Sequence, residues 1–247
     1  MNLVLFDQHE LAGKQLVLND FRAKHIRSIL GLSPGDSLRI GMINGRLGRG
    51  KIVSMAGAEV EIAVELDREP PPPPEVELIL ALPRPIMLQR ILKQATTLGV
   101  YRFHLIRSAK VEKSFFQSPA LNPEKIRERL LEGLSQSAVD TCLPEVSIHH
   151  RFKPFVEDTL PTLTGQGLIA HPDVPGSLLD AFPSLQNKKI LLAVGPEGGW
   201  NDFEVHSFMD QGFTPFSLGS RILHVDTAVV TLLAQLQMRK YHLSTTQ

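Results

Sequence analysis

Lys189-Ile-Leu-Leu-Ala-Val-Gly195-Pro196-Glu197-Gly198-Gly199-Trp200 decides the fold. Ile190 to Val194 is a short unbroken apolar run, the pattern of a strand buried on both faces in a parallel sheet. It ends abruptly in Gly-Pro-Glu-Gly-Gly. Asn201 and Asp202 then offer N-caps for a helix from about Phe203 to Gln211, with Gly212 as its C-cap. Strand, glycine loop and helix is the arrangement in which open α/β sheets hold ligands, outside the carboxyl ends of the strands. Three glycines within five positions let backbone groups approach a ligand with no side chain between. The loop lacks the Lys-Ser/Thr ending of a phosphate loop and the spacing of a dinucleotide fingerprint. By itself it reads equally as a tight turn after a core strand.

A second loop of the same kind follows. Phe216-Ser-Leu-Gly-Ser-Arg-Ile-Leu-His-Val-Asp-Thr-Ala-Val-Val leads into a helix continuing to about Tyr241. Asp226 or Thr227 is placed to cap it, with Val230, Leu233 and Leu236 or Gln237 at helical spacing. Two such loops, side by side in a parallel sheet, would clamp a flat ligand.

These residues carry a family resemblance. Gly-Pro-Glu-Gly-Gly at 195–199, Leu-Gly-Ser-Arg-Ile-Leu at 218–223 and Asp226-Thr227-Ala228 together resemble the ribosomal RNA small subunit methyltransferase E family. The likeness extends along the chain through Lys93-to-Val100, Gln136-Ser137 and His171-Pro172. It implies an α/β fold: a C-terminal knotted SPOUT-type parallel sheet with helices on both faces, preceded by a small N-terminal PUA-like β-barrel. It also implies a homodimer that methylates N3 of a uridine in 16S ribosomal RNA from S-adenosylmethionine. The cofactor site would be formed by Ala170 and His171, by Gly195, Pro196, Glu197, Gly198 and Gly199, and by Leu218, Gly219, Ser220, Arg221, Ile222 and Leu223.

Uridine N3 carries a proton that must leave, so a base or an anion-stabilising cation is required. Arg221 is the first candidate, either orienting the target or bracing its loop. Asp226 is either a general base or a helix N-cap. The chain departs from the family pattern at His224 and Asp226, where the family reads Arg and Glu. It departs again at Thr97 and across Ser135 to Asp140. Two other readings therefore stay open: a knotted methyltransferase for another RNA nucleotide, and a silent RNA-binding or ribosome-assembly protein.

The remainder of the chain frames these loops. Its 247 residues are 43% hydrophobic and 21% charged, ordinary for a globular chain with a sizeable core. No apolar run reaches membrane-spanning length, and Met-Asn-Leu-Val-Leu-Phe-Asp does not read as a signal peptide. The one cysteine, Cys142, excludes an internal disulfide, and a cytoplasmic address is expected. Net charge is zero, but its distribution is uneven. Lys14 to Lys51 holds eight basic residues against Asp20 and Asp36, whereas Glu59 to Glu69 holds five acids and Arg68. Lys14, Arg22, Lys24, Arg27, Arg46 and Arg49 read as contacts to RNA phosphates, or as a mixed solvated surface.

Residues 1–69 are expected to be mostly β, with strands at Leu3–Phe6, Gln15–Leu18, Ser37–Met42, Gly50–Met55 and Ala58–Leu66. One helix, Phe21 to Leu30, is expected to bury Phe21, His25, Ile26, Ile29 and Leu30. Pro70 to Pro74 reads as a semi-rigid linker ending at residue 75. From Val76 to 247 strands and helices alternate, the mark of a parallel sheet carrying the methyltransferase domain. The letters Gly165-Gln-Gly167 precede a strand and read as a turn, not a dinucleotide loop. His149-His150 lacks partners at metal spacing, so no metal is expected.

Overall fold

The computed structural model describes residues 2–72, 75–183 and 189–245. The chain divides into two compact units, residues 1–73 with 130–143, and residues 74–129 with 144–247. Of the proline tract, residues 70–72 have no regular structure and Pro73 and Pro74 lie outside the described residues.

The first unit contains β1 (Val4–Phe6), β2 (Leu11–Ala12), β3 (Gln15–Leu18), α1 (Phe21–Ser28), β4 (Ser37–Met42), β5 (Leu47–Ala56) and β6 (Glu59–Arg68). Its strands form one sheet in the order β1-β4-β5-β6-β3-β2, antiparallel except for β1 beside β4. The end strands β1 and β2 do not pair, so the expected barrel is an open half-barrel. Val60, Ile62 and Val64 alternate inward from β6 onto Ala23 and Ile26 of α1. The expectation for α1 is corrected: Phe21 is 73% exposed and Ile29 is 71% exposed. The helix ends at Ser28, and Gly31 turns the chain at φ 63°, so Ile29 and Leu30 leave the buried face. Leu134 and Ala138 join Leu3, Leu5 and Leu47 in a smaller apolar cluster of this unit.

The second unit contains β7 (Val76–Ala81), α2 (Pro85–Thr97), β8 (Arg102–Ile106), the first half of α3 (Pro123–Ser137) up to residue 129, and β9 (Glu145–His149). There follow α4 (Phe152–Pro154), β10 (Gln166–Ala170), α5 (Leu178–Ala181), β11 (Ile190–Val194), α6 (Asp202–Asp210), β12 (Thr214–Phe216) and α7 (Val225–Thr245). After α4 the chain continues in a π turn and a tighter turn at Leu160–Thr162, which includes Pro161. The sheet is parallel throughout, in the order β12-β10-β11-β7-β8-β9. Helices flank it, with α2 packed on α7 and both α5 and α6 touching β12.

Every residue of β11 is buried, as its unbroken apolar run requires. Strand β7 is buried throughout as well, although it contains Glu77. Gly167 in β10 lies under Phe213, whose ring would be 2.4 Å from any added Cβ. Helix α7 buries Val225, Val229, Leu232, Leu233 and Leu236. Leu233 and Leu236 of the expected face are buried, whereas Val230 is only half-buried and Val229 takes its inward place. No helix among the described residues is long and apolar enough to cross a membrane.

Buried Glu77 is surrounded by donors at the amino ends of the strands. It accepts from Tyr101 Oη at 2.7 Å, His104 Nε2 at 3.1 Å and Arg102 Nη1 at 3.4 Å, and it pairs with Lys189. Burial alone would raise its pKa, but the bonds from His104, Lys189 and Tyr101 outweigh burial and hold it at about 2. His149 approaches His104 at 3.4 Å, and desolvation followed by the neighbouring imidazoles lowers its pKa to about 4.

Candidate functional site

Three adjacent strands, β12, β10 and β11, end at one edge of the parallel sheet. The loops that leave their carboxyl ends enclose a pocket of about 310 Å³. Ala170 and His171 line it from β10, Gly195 to Gly199 from β11, and Leu218, Gly219, Arg221, Ile222 and Leu223 from the loop after β12. Ser220, grouped with them from the sequence, instead lines a larger adjoining cavity of about 970 Å³. The two cavities share Pro172, Ser217, Leu218 and Gly219.

Local chemistry accounts for each loop. The Asn201 side chain accepts from Glu204 N, and Glu204 returns a bond to Asn201 N, a capping box that starts α6 directly after the glycines. Pro196 O accepts from Gly199 N at 2.8 Å, closing a tight turn in which Gly199 sits at φ 70°. The Glu197 carboxylate accepts from Arg84 N at 3.1 Å, at the start of α2. Gly195 and Gly198 owe their lack of a side chain to neighbours within the fold. A Cβ at 195 would meet the Trp200 indole at 3.1–3.2 Å, and one at 198 would meet Lys110 Cδ at 2.9 Å.

The other two loops are joined to each other. His171 N donates to Phe216 O at 2.9 Å, and Ser217 N donates to Gly176 O at 3.0 Å. Ser217 Oγ lies 3.2 Å from Pro172 O and accepts from Gly219 N at 3.1 Å. Gly219 adopts φ 116°, a conformation that side chains disfavour. The His171 ring is held by its own loop, Nδ1 accepting from Asp173 N at 3.1 Å.

Arg221 is exposed at the pocket with no ion pair or hydrogen bond among the described residues. Asp226 stands apart from the lining residues, although Val225 and Ala228 belong to them. It lies in the first turn of α7, not at the cap position, and its carboxylate is 3.5 Å from Arg90 Nη1. Sequence reasoning missed Lys110 and Ser217. Lys110 Nζ donates to Gly198 O at 2.7 Å and lines the pocket from the segment after β8. In the sequence it is one of three cations beyond a strand end, with Arg107 and Lys113, and nothing local singles it out.

The six basic residues of the first unit separate into two groups. Arg22 is enclosed, bonding Glu10 at 2.5 Å, Asp20 at 2.8 Å and Leu5 O at 2.8 Å. Arg27 is spent on the carbonyls of Gly57 and Glu59, and Arg46 on Glu69 at 2.5 Å. Lys14, Lys24 and Arg49 are exposed with no side-chain ion pair among the described residues.

The pocket suits a flat, hydrogen-bonding ligand with an apolar face. Backbone groups of three loops surround it, and Val194, Ile222, Leu223, Val225 and Leu232 supply apolar surface. The Trp200 indole N–H, buried beside it, has no acceptor among the described residues.

Comparison with known proteins agrees with this geometry. Residues 70–237 match the RNA methyltransferase domain family. The chain is 33% identical over 242 residues to ribosomal RNA small subunit methyltransferase E of Treponema pallidum, covering 95% of this chain and 90% of that protein. It is 26% identical over 223 residues to the protein of that name from Synechocystis, covering 90% of this chain and 72% of that one. Among solved structures, the Neisseria gonorrhoeae ribosomal RNA small subunit methyltransferase E bound to S-adenosyl methionine shares the fold. Its TM-score is 0.75 at 20% identity, over 96% of this chain and 97% of that one. From the domain match and the relative in Treponema, the chain belongs to the ribosomal RNA small subunit methyltransferase E family of RNA methyltransferases.

Proposed function

We propose that this ribosomal RNA methyltransferase uses S-adenosylmethionine to methylate N3 of a uridine in 16S ribosomal RNA of the small subunit. The observation that carries the reading is the three-loop pocket at the ends of β12, β10 and β11, with both glycine motifs in its wall. When bound, the cofactor supplies an activated methyl group. Ala170, His171, the 195–199 turn and the 218–223 loop hold it through backbone groups, and Trp200 N–H offers a further donor. Ser220 belongs to that loop from the adjoining cavity. Most of the rate enhancement is positioning of the acceptor nitrogen. Arg221 orients the target, and Asp226 is the candidate base, held beside Arg90.

The finer architecture belongs to the same proposal. The loops that form the pocket are threaded as the family's knot. Residues 1–69 act as a PUA-like RNA-binding domain, 70–75 as a linker and 76–247 as the methyltransferase domain. RNA contacts come from Lys14, Lys24 and Arg49, which keep exposed charges. The enzyme works as a cytoplasmic homodimer.

The test is transfer of labelled methyl from S-adenosylmethionine to small ribosomal subunits lacking the modification, followed by nucleoside analysis. Labelled 3-methyluridine is the expected product. A different methylated nucleoside would move the target, and cofactor binding without transfer to any RNA would make the protein a silent relative.

A further inference from the structure

We propose that Lys110 is the cation that faces the acceptor base and stabilises it as its proton leaves. The inference rests on the reading above, that the acceptor is a ring nitrogen that must first lose a proton.

Lys110 is placed from outside the three loops, and its placement is built. Its neighbour Ala109 donates its N–H to Glu204 Oε1 at 2.6 Å, and Glu204 is only 2% exposed. The same carboxylate caps α6 through Asn201 N, so the segment after β8 is fixed to the helix that follows the glycine turn. From this anchor the Lys110 stem lies across Gly198, where a Cβ would come within 2.9 Å of Cδ. The ammonium reaches Gly198 O at 2.7 Å and stands in the pocket wall. An ammonium has three donors, and this bond uses one. Lys110 has no carboxylate partner among the described residues, so its charge is not neutralised by an ion pair.

A loop clamp alone would not need that arrangement. Glu197 and the Pro196–Gly199 bond already hold the turn from below. A cation left with free donors in a partly enclosed site is placed for negative charge that develops during reaction. In the transfer, the acceptor nitrogen gives its proton to a base, Asp226 in the reading above, and its electron pair to the methyl carbon, while the S–C bonding pair stays on sulfur. Before the new bond forms, the deprotonated base carries negative charge on N3 and the two carbonyl oxygens beside it, and the free ammonium donors answer that charge.

The test compares Lys110→Met and Lys110→Arg with wild type in single-turnover methyl transfer to unmodified small subunits at saturating cofactor, across pH. Calorimetry gives cofactor affinity in parallel. Lys110→Met is expected to slow transfer about tenfold at neutral pH and to move the rise of rate with pH upward by about one unit. Cofactor affinity stays within threefold, and Lys110→Arg restores most of the rate. The other ionisable groups facing this position are His171 and Asp173 after β10, Glu197 after β11, Arg221 after β12 and Glu204 on α6. All are unchanged in both variants, so a moved profile belongs to position 110. An unmoved profile overturns the proposal, whether the rate is kept or falls in step with cofactor affinity as for a clamp. Nucleoside analysis of the wild-type product separates the underlying reading, since methylation at an atom with no proton to lose would defeat that reading and not the placement of Lys110.

Discussion

The Glu197 carboxylate accepts the backbone N–H of Arg84 at 3.1 Å, so the acid of the glycine turn caps the start of α2. One bond thereby ties the loop after β11 to the helix after β7, its neighbour in the sheet. Glu197→Ala should cost about 1 kcal/mol of stability, the usual worth of a lost cap, and weaken cofactor binding through a loosened turn. Glu197→Gln keeps an acceptor and should be close to wild type in both. Urea unfolding and calorimetry decide it. Loss of methyl transfer in Glu197→Gln with stability intact would show that the charge acts in the reaction instead.

Gly198 and Lys110 should be energetically coupled, because the lysine stem occupies the space a side chain at 198 would need. Gly198→Val is expected to abolish cofactor binding while the fold survives. Gly198→Ala should be milder in a Lys110→Ala background than in wild type, a non-additive double-mutant cycle in cofactor affinity. Additive effects would mean that the alanine methyl meets something other than Lys110.

The Glu77 cluster predicts how stability depends on pH. The folded pKa of Glu77, about 2, lies below its ordinary value of 4.5, so its contribution is complete above 4.5 and is lost as pH falls toward 2. His149, at about 4 folded against 6.5, acts in the same direction between pH 6.5 and 4, because there the unfolded chain binds the extra proton. Chemical denaturation should therefore show stability falling in two stages on acidification. Glu77→Gln leaves Lys189 and Arg102 without their shared carboxylate and should cost about 3 kcal/mol at neutral pH. A Glu77→Gln protein with an unchanged acid profile would contradict the assignment.

Basic residues of the first unit should behave as two classes. Arg22→Ala should destabilise by about 2 kcal/mol, since Glu10 and Asp20 are left without their partner. Lys24→Ala and Arg49→Ala should leave stability unchanged and weaken RNA binding. Each lowers the salt slope of log K by about 1 if it meets a phosphate. Equilibrium binding to the small subunit at several salt concentrations, beside urea melts, separates the classes.

Periodicity and caps carried most of the second unit's elements. The apolar run at Ile190–Val194 and the Asn201–Glu204 capping box are local, so a linear reading finds them. Strand β9 was not foreseen, because Glu145-Val-Ser-Ile-His has only two apolar residues and lies at a sheet edge where little burial is demanded. The candidate pocket was legible where its lining is made of glycines and strand ends. Lys110 and Ser217 were not, because their roles depend on distant backbone carbonyls, Gly198 O for one and Pro172 O for the other. Arg22 was misjudged for a related reason: a positive charge in sequence does not say whether Glu10 and Asp20 fold back onto it. Nor does composition mark residues 130–143, which group with the first unit from far along the chain.

Strand β11 lies between β7 and β10 but is later in the chain than either. During synthesis, the edge of β7 must therefore wait unpaired until residues 190–194 have been made, and β10 has no sheet to join before then. The candidate pocket is withheld from the nascent protein by topology, since its walls close only when the residues of β11 and the loop after β12 have left the ribosome. A stalled chain ending at Lys189 should retain no cofactor on a filter, whereas one extended past α7 should. In a nascent chain the three-loop pocket of this ribosomal RNA methyltransferase thus stays open until residues 218–232 have emerged.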